Sequence, residues 1–169
     1  ATTSDGTAQL SPEQADNAAL IAAVAVRRGL PARAATIALA TARQESGLAN
    51  LDHGDRDSLG LFQQRPSQGW GTAQQIMDPV HATNTFYDHL VKVPDYTTLP
   101  ITQAAQAVQR SGFPDAYADD GPMARAFASA LTGWSPAALG CTLPAATGAG
   151  SSDAVLARVA RDLGPLPSS

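Results

Sequence analysis

Residues 31–47 read PARAATIALATARQESG, and this stretch decides the fold class. Pro31 suits the first position of a helix, where its missing N–H has no intrahelical partner to lose. Gly47 suits the stop. Between them Ala34, Ala35, Ile37, Ala38, Leu39 and Ala42 are apolar on nearly every face, which predicts a helix buried all round. Such a helix needs neighbours on several sides, and the flanking sequence offers them. Upstream, Ser11-Pro12-Glu13-Gln14 is a helix start: a Ser cap, Pro in the first turn, and Gln three residues after the cap. That helix is predicted to run to Arg28 and stop at Gly29. Downstream, helical patterns recur at about 72–77, 79–92, 101–111 and 122–132, punctuated by Pro79, Pro94, Pro100, Pro114 and Pro122. Val155, Leu156, Val159 and Leu163 give one last short amphipathic helix. The expected class is mainly α.

The same reading divides the chain. Residues 1–10 read as disordered, 11–141 as one domain, 142–152 as a flexible linker, and 153–169 as a short helix and tail. With 169 residues and a hydrophobic fraction of 44%, a single core of ordinary size is within reach. Alanine supplies much of that fraction and aromatics only 5%, so close helix packing around few large anchors is expected, with Phe127 and Trp134 among the core. A net charge of −4 argues against a phosphate-binding surface, and hence against a nucleic-acid partner. No run approaches the roughly 20 apolar residues of a membrane helix; the longest, Ala18 to Val26, is mostly Ala and meets Arg27-Arg28. The opening Ala1 and the polar run after it predict a removed export signal and an extracytoplasmic location. Cys141 is the only cysteine, which leaves no internal disulfide. The closing Pro165-Leu166-Pro167-Ser168-Ser169 has the composition of a linker to a further module.

Between Leu48 and Gly71 the pattern breaks into a turn-rich insert dense in Gly, Asp and Asn, with room for a small hairpin. A compact domain rarely carries so long a loop without a use for it. At its entrance stands Gln44-Glu45-Ser46-Gly47. A carboxylate ending an Ala/Ile/Leu helix is costly unless paired, protonated or at a cavity. Ala38, Thr41 and Ala42 on its face cannot neutralise it. Burial without a cation, together with the negative end of the helix dipole, pushes a Glu toward the neutral form that a general acid needs. Rotation of Glu45 into solvent at a frayed terminus is the competing reading.

Gly60-Leu61-Phe62-Gln63-Gln64 follows some fifteen residues later. Glu-Ser at the end of an Ala-rich helix, a polar loop, then Gly-Leu-Phe-Gln resembles the bacterial soluble-type lytic transglycosylases and goose-type lysozymes, whose signature reads Gly-Leu-Met-Gln, over about residues 31–117. The resemblance implies a lysozyme-like helical domain that cleaves peptidoglycan glycan strands without a cofactor. It implies Glu45 as the acid/base, and Gln63 and Gln64 in the saccharide cleft. A third family element, Ala-Tyr-Asn-Ala-Gly, corresponds here to Ala107-Val108-Gln109-Arg110-Ser111-Gly112. Gln109 replaces the Asn as an amide, whereas Val108 lacks the Tyr hydroxyl, leaving Tyr117 or Arg110 to supply a polar contact.

In the loop Asp52-His53-Gly54-Asp55-Arg56-Asp57-Ser58, the spacing of acids suggests a Ca²⁺ loop, but the Glu that would complete an EF-hand is missing. Turn chemistry, with Arg56 paired to a neighbouring acid, is the better reading for Asp52 and Asp57. Asp55 stands near the place where goose-type lysozymes carry an Asp that positions water, so it is a candidate auxiliary as well as a turn residue. His53, His81 and His89 are isolated and no metal site is expected. Trp70 is either a sugar-stacking platform or the anchor closing the loop over the core. Two functions therefore compete: glycan cleavage, by transglycosylation or hydrolysis, and a non-catalytic glycan-binding or scaffolding module that keeps the fold.

Overall fold

The computed structural model describes residues 2–3, 6–109, 120–142, 145 and 148–164. In chain order these form β1 (Thr2–Thr3), β2 (Gly6–Thr7), α1 (Pro12–Arg27), α2 (Ala32–Ser46), a 3-10 turn at Pro66–Gln68, α3 (Ala73–Met77), α4 (Pro79–Leu90), α5 (Ile101–Gln109), α6 (Gly121–Leu131) and α7 (Ser152–Leu163). The protein is mainly α, as the sequence predicts.

Helix α2 is the hub. Every residue from Ala34 to Ala42 is buried, and α1, α4, α5 and α6 all pack on it. Its small side chains are what let four helices approach one. The start of α1 carries the predicted capping box: Ser11 Oγ accepts from Gln14 N at 3.2 Å, and Ser11 N donates to Gln14 Oε1 at 2.9 Å. The other end of the Gln14 amide donates to the Gly47 carbonyl at 2.9 Å, and Asn17 Nδ2 donates to the Leu48 carbonyl at 2.8 Å. Polar residues of α1 thus satisfy two carbonyls just past α2, where the helix itself offers no donors, and they fix the direction in which the chain leaves it.

The aromatic anchors sit where α4 meets the insert. Phe62 and Phe86 stack with ring centroids 4.6 Å apart, Phe86 meets Tyr87 edge-on, and the Tyr87 hydroxyl donates to the Ile21 carbonyl at 3.0 Å. Burial of that phenol pushes its ionisation well above the usual range, so it is a structural hydroxyl.

Two expectations are corrected. Residues 1–10 are not wholly irregular: Thr2 pairs with Thr7 and Thr3 with Gly6, the ladder lies against α6, and Ala8 and Leu10 pack on the core. Backbone pairing and two apolar contacts hold a segment whose composition alone reads as disordered. Trp134 is not core; it is 76% exposed just beyond the end of α6, whereas Phe127, inside that helix, is buried as expected. Leaving the helix after Leu131 takes Trp134 off the face that Phe127 presents to α2. The stretch read as a linker leads into α7 at Ser152, and α7 rests on α1.

Candidate functional site

Glu45 and Ser46 occupy the last two positions of α2, and Gly47 follows with φ +65°. Glu45 is half-buried. Beside it, Ser46 Oγ lies 3.0 Å from the Ala42 carbonyl and 2.8 Å from the Leu61 carbonyl. The second contact ties the end of α2 to the insert fifteen residues away. The next carbonyl along, that of Phe62, accepts Nε2 of Gln109 from the end of α5 at 2.7 Å. Consecutive peptides of one turn are therefore gripped from two helices. Ser46, the Leu61-Phe62 peptides and Gln109, widely separated in sequence, meet at one place, with Glu45 and Gln63 as their chain neighbours.

The turn itself is a small hairpin. Leu59 and Gln64 form an isolated antiparallel bridge, with N···O distances of 2.9 and 3.0 Å. Gly60 turns with φ +75°, and a Cβ there would stand 2.7 Å from the Ile76 carbonyl, so both conformation and space require glycine. Leu61 and Phe62 are completely buried. Each such side chain contributes about 1.5–3 kcal/mol, against about 0.5–1.5 kcal/mol for a hydrogen bond. Burial holds the turn in place, and the Ser46 and Gln109 bonds set its orientation.

Gln63 comes next with φ +46°, a left-handed backbone costing a non-glycine residue about 1–2 kcal/mol. Its carboxamide folds over the exposed stretch 52–56, with Nε2 3.2 Å from the His53 carbonyl and 3.3 Å from the Gly60 carbonyl. Gln64, expected in the cleft, is corrected: it is 2% exposed and donates to the Ala82 carbonyl at 3.2 Å. Alternation along the bridged strand turns Gln64 inward onto α4. Gln109 is brought to the site, but its amide hydrogens address Phe62, which makes it a positioning group. Val108 is 4% exposed and belongs to the core. Tyr117 and Arg110 lie outside the described residues.

The acids of the insert separate clearly. Asp55 has a side chain 93% exposed, with only Arg56 Nε near it at 4.0 Å. At the surface of the insert it has no firm hold, and its role as an auxiliary is a question for the Asp55→Asn variant. Asp52 pairs with His53 at 2.8 Å on the surface. Asp57 is the organiser. Arg65 Nε reaches its Oδ1 at 2.7 Å, Ser67 Oγ the same oxygen at 3.0 Å, and Ser67 N its Oδ2 at 2.8 Å. These donors, Arg65 foremost, hold its carboxyl well below the usual carboxylate range. Asp57 is thus no local turn residue: its partners lie eight and ten residues on, while Arg56 stands nearest its other neighbouring acid, Asp55, at 4.0 Å. Trp70 packs on the core and its ring lies 4.3 Å from that of His89, tilted by 38°. That arrangement makes it the anchor of the insert. Among the described residues no group of three or more His, Cys, Asp or Glu is placed to hold a metal ion.

Sequence reasoning missed Ser46 as the tie between α2 and the turn, although Ser46 was already half of the Glu-Ser pair. It also missed the Asp57–Arg65–Ser67 clamp, whose signal was an Asp and an Arg bracketing the Gly60–Gln64 segment. No family model and no curated protein matches the chain. No described helix is long and apolar enough to cross a membrane.

Proposed function

We propose that this domain has a lysozyme-like fold and cleaves the β-1,4 bond between N-acetylmuramic acid and N-acetylglucosamine in peptidoglycan, outside the cytoplasm, with Glu45 as the acid. The observation that carries this reading is the convergence at the hairpin: Ser46 and Gln109 hold the Leu61 and Phe62 carbonyls. Glu45 precedes Ser46 at the end of α2 and Gln63 follows Phe62 in the turn, so the two candidate groups are the chain neighbours of the residues held there.

Protonated Glu45 donates its proton to the leaving glycosidic oxygen. Positive charge grows at the anomeric carbon as that bond breaks, and the substrate's own N-acetyl carbonyl stabilises it, a recognised alternative to a second carboxylate. Glu45, now a carboxylate, removes a proton from the attacking hydroxyl. Attack by the sugar's own 6-hydroxyl, the course we favour, gives a 1,6-anhydro product, and attack by water gives a reducing end. The rival, a binding module without turnover, draws on Val108, which places no hydroxyl at the site. Incubation of the purified protein with peptidoglycan, followed by mass analysis of soluble products, separates these readings. Anhydro-muropeptides are expected. Reducing muropeptides would indicate hydrolysis, and the absence of any soluble product would leave binding alone.

A further inference from the structure

Gly54 lies in the exposed stretch 52–56, and its backbone is not in the left-handed region that favours glycine. Space is what demands glycine there. A Cβ at this position would stand 1.8 Å from Gln63 Oε1 and 2.9 Å from Gln63 Cδ, with the Ser58 carbonyl also at 2.9 Å. The Gln63 carboxamide therefore lies across the bare Cα of Gly54. Its two nearest protein partners, the carbonyls of His53 and Gly60, are both acceptors, so the NH₂ end must face them. The amide hydrogens are thereby committed within the protein. What remains for a ligand is Oε1, to which no described residue donates.

We infer that Gly54 is a positioning residue that fixes Gln63 as an acceptor. The ligand group read at this point is then a hydrogen-bond donor, a saccharide hydroxyl or acetamido N–H. The positioning stands on the geometry alone; the identity of the ligand rests on the function proposed above. An amide left free to rotate would accept either polarity, whereas this one discriminates.

The test is a double-mutant cycle in the full chain carrying Glu45→Gln, with a soluble β-1,4 oligomer of N-acetylglucosamine as the probe. Gly54→Ala and Gln63→Ala are each expected to weaken binding roughly tenfold, and the double variant is expected to be no weaker than Gln63→Ala alone. Additive losses would mean that Gly54 acts through the Ser58 backbone and would overturn the inference. A second arm follows solvent exchange of the Gln63 side-chain NH₂ protons by NMR. They should exchange slowly in the parent and faster in Gly54→Ala; equal rates would overturn the positioning role. A parent protein that binds no oligomer would defeat the saccharide half and the functional reading together, while the exchange arm still decides whether Gly54 orients Gln63.

Discussion

Replacing Glu45 by Gln keeps the size of the side chain and removes only its ability to give and take a proton. Turnover on peptidoglycan is expected to fall by at least about a hundredfold, the lower end of what a general acid contributes, with unchanged far-UV circular dichroism. Retention of more than a few per cent of the parent rate would remove Glu45 from the mechanism. Asp55→Asn is the matching control on the other acid that the sequence nominates. A side chain 93% exposed, with one distant cation, has little to lose. Stability should stay within about 0.5 kcal/mol of the parent, and the ratio of anhydro to reducing products should not move. A rise in that ratio would return Asp55 to a water-positioning role. The place of Glu45 at the end of α2 was legible because Gly47 marks locally where that helix stops. Gln63 and Gln64 were not separable, since adjacent identical residues on a turn differ only in which face of the hairpin each takes.

The hairpin between α2 and α3 works as an element because its ends are clamped outside it. Asp57 and Arg65 flank the Leu59–Gln64 bridge, and Ser67 completes the clamp with its backbone N–H and hydroxyl. The carboxyl of Asp57 is held below its ordinary range in the folded chain, so the unfolded chain binds its proton more readily. This contribution is therefore fully present above the unfolded value near 4, and it is lost as pH falls from there toward the folded value. Partial exposure of the pair keeps it modest. Asp57→Asn should lower the urea midpoint at pH 7, and the gap between parent and variant should narrow at pH 3. A gap that stays constant or widens would show that the charge on Asp57 does not stabilise the clamp. This partnership was hidden from the sequence by range: Arg56 is adjacent to both Asp55 and Asp57, while Arg65 reaches Asp57 only once the bridge has formed. Helix boundaries were far more legible. The Ser11 cap, Pro79 and Gly47 act locally, and local signals need no knowledge of the fold.

At the scale of the whole molecule, α2 makes the fold one body, and α7 stands apart from that logic. Its chief neighbour is α1 and not α2. Arg158 Nη1 meets Asp16 of α1 at 3.1 Å, while within α7 Arg158 Nε and Arg161 Nε both hold Asp162, at 2.6 and 2.7 Å. Two of its apolar residues, Val155 and Leu156, remain more than half exposed. Exposed ion pairs of this kind contribute about 0–1 kcal/mol each, and the Arg158–Asp162 and Arg161–Asp162 pairs lie within α7, so among the described residues Arg158–Asp16 is the only ion pair joining it to α1. The amphipathic pattern that predicted α7 thus identified a helix correctly without showing how little of its apolar face would be covered. Removing residues 149–169 is expected to cost about 1–2 kcal/mol, a fall of a few degrees in Tm, and to leave one cooperative transition. Glycan cleavage should persist, because the groups that hold the hairpin (Ser46, Gln109 and the Asp57–Arg65–Ser67 clamp) all lie outside α7. Loss of cooperative unfolding in the shortened chain would show that α7 belongs to the core after all, and that its few contacts with α1 are coupled to the packing of α2.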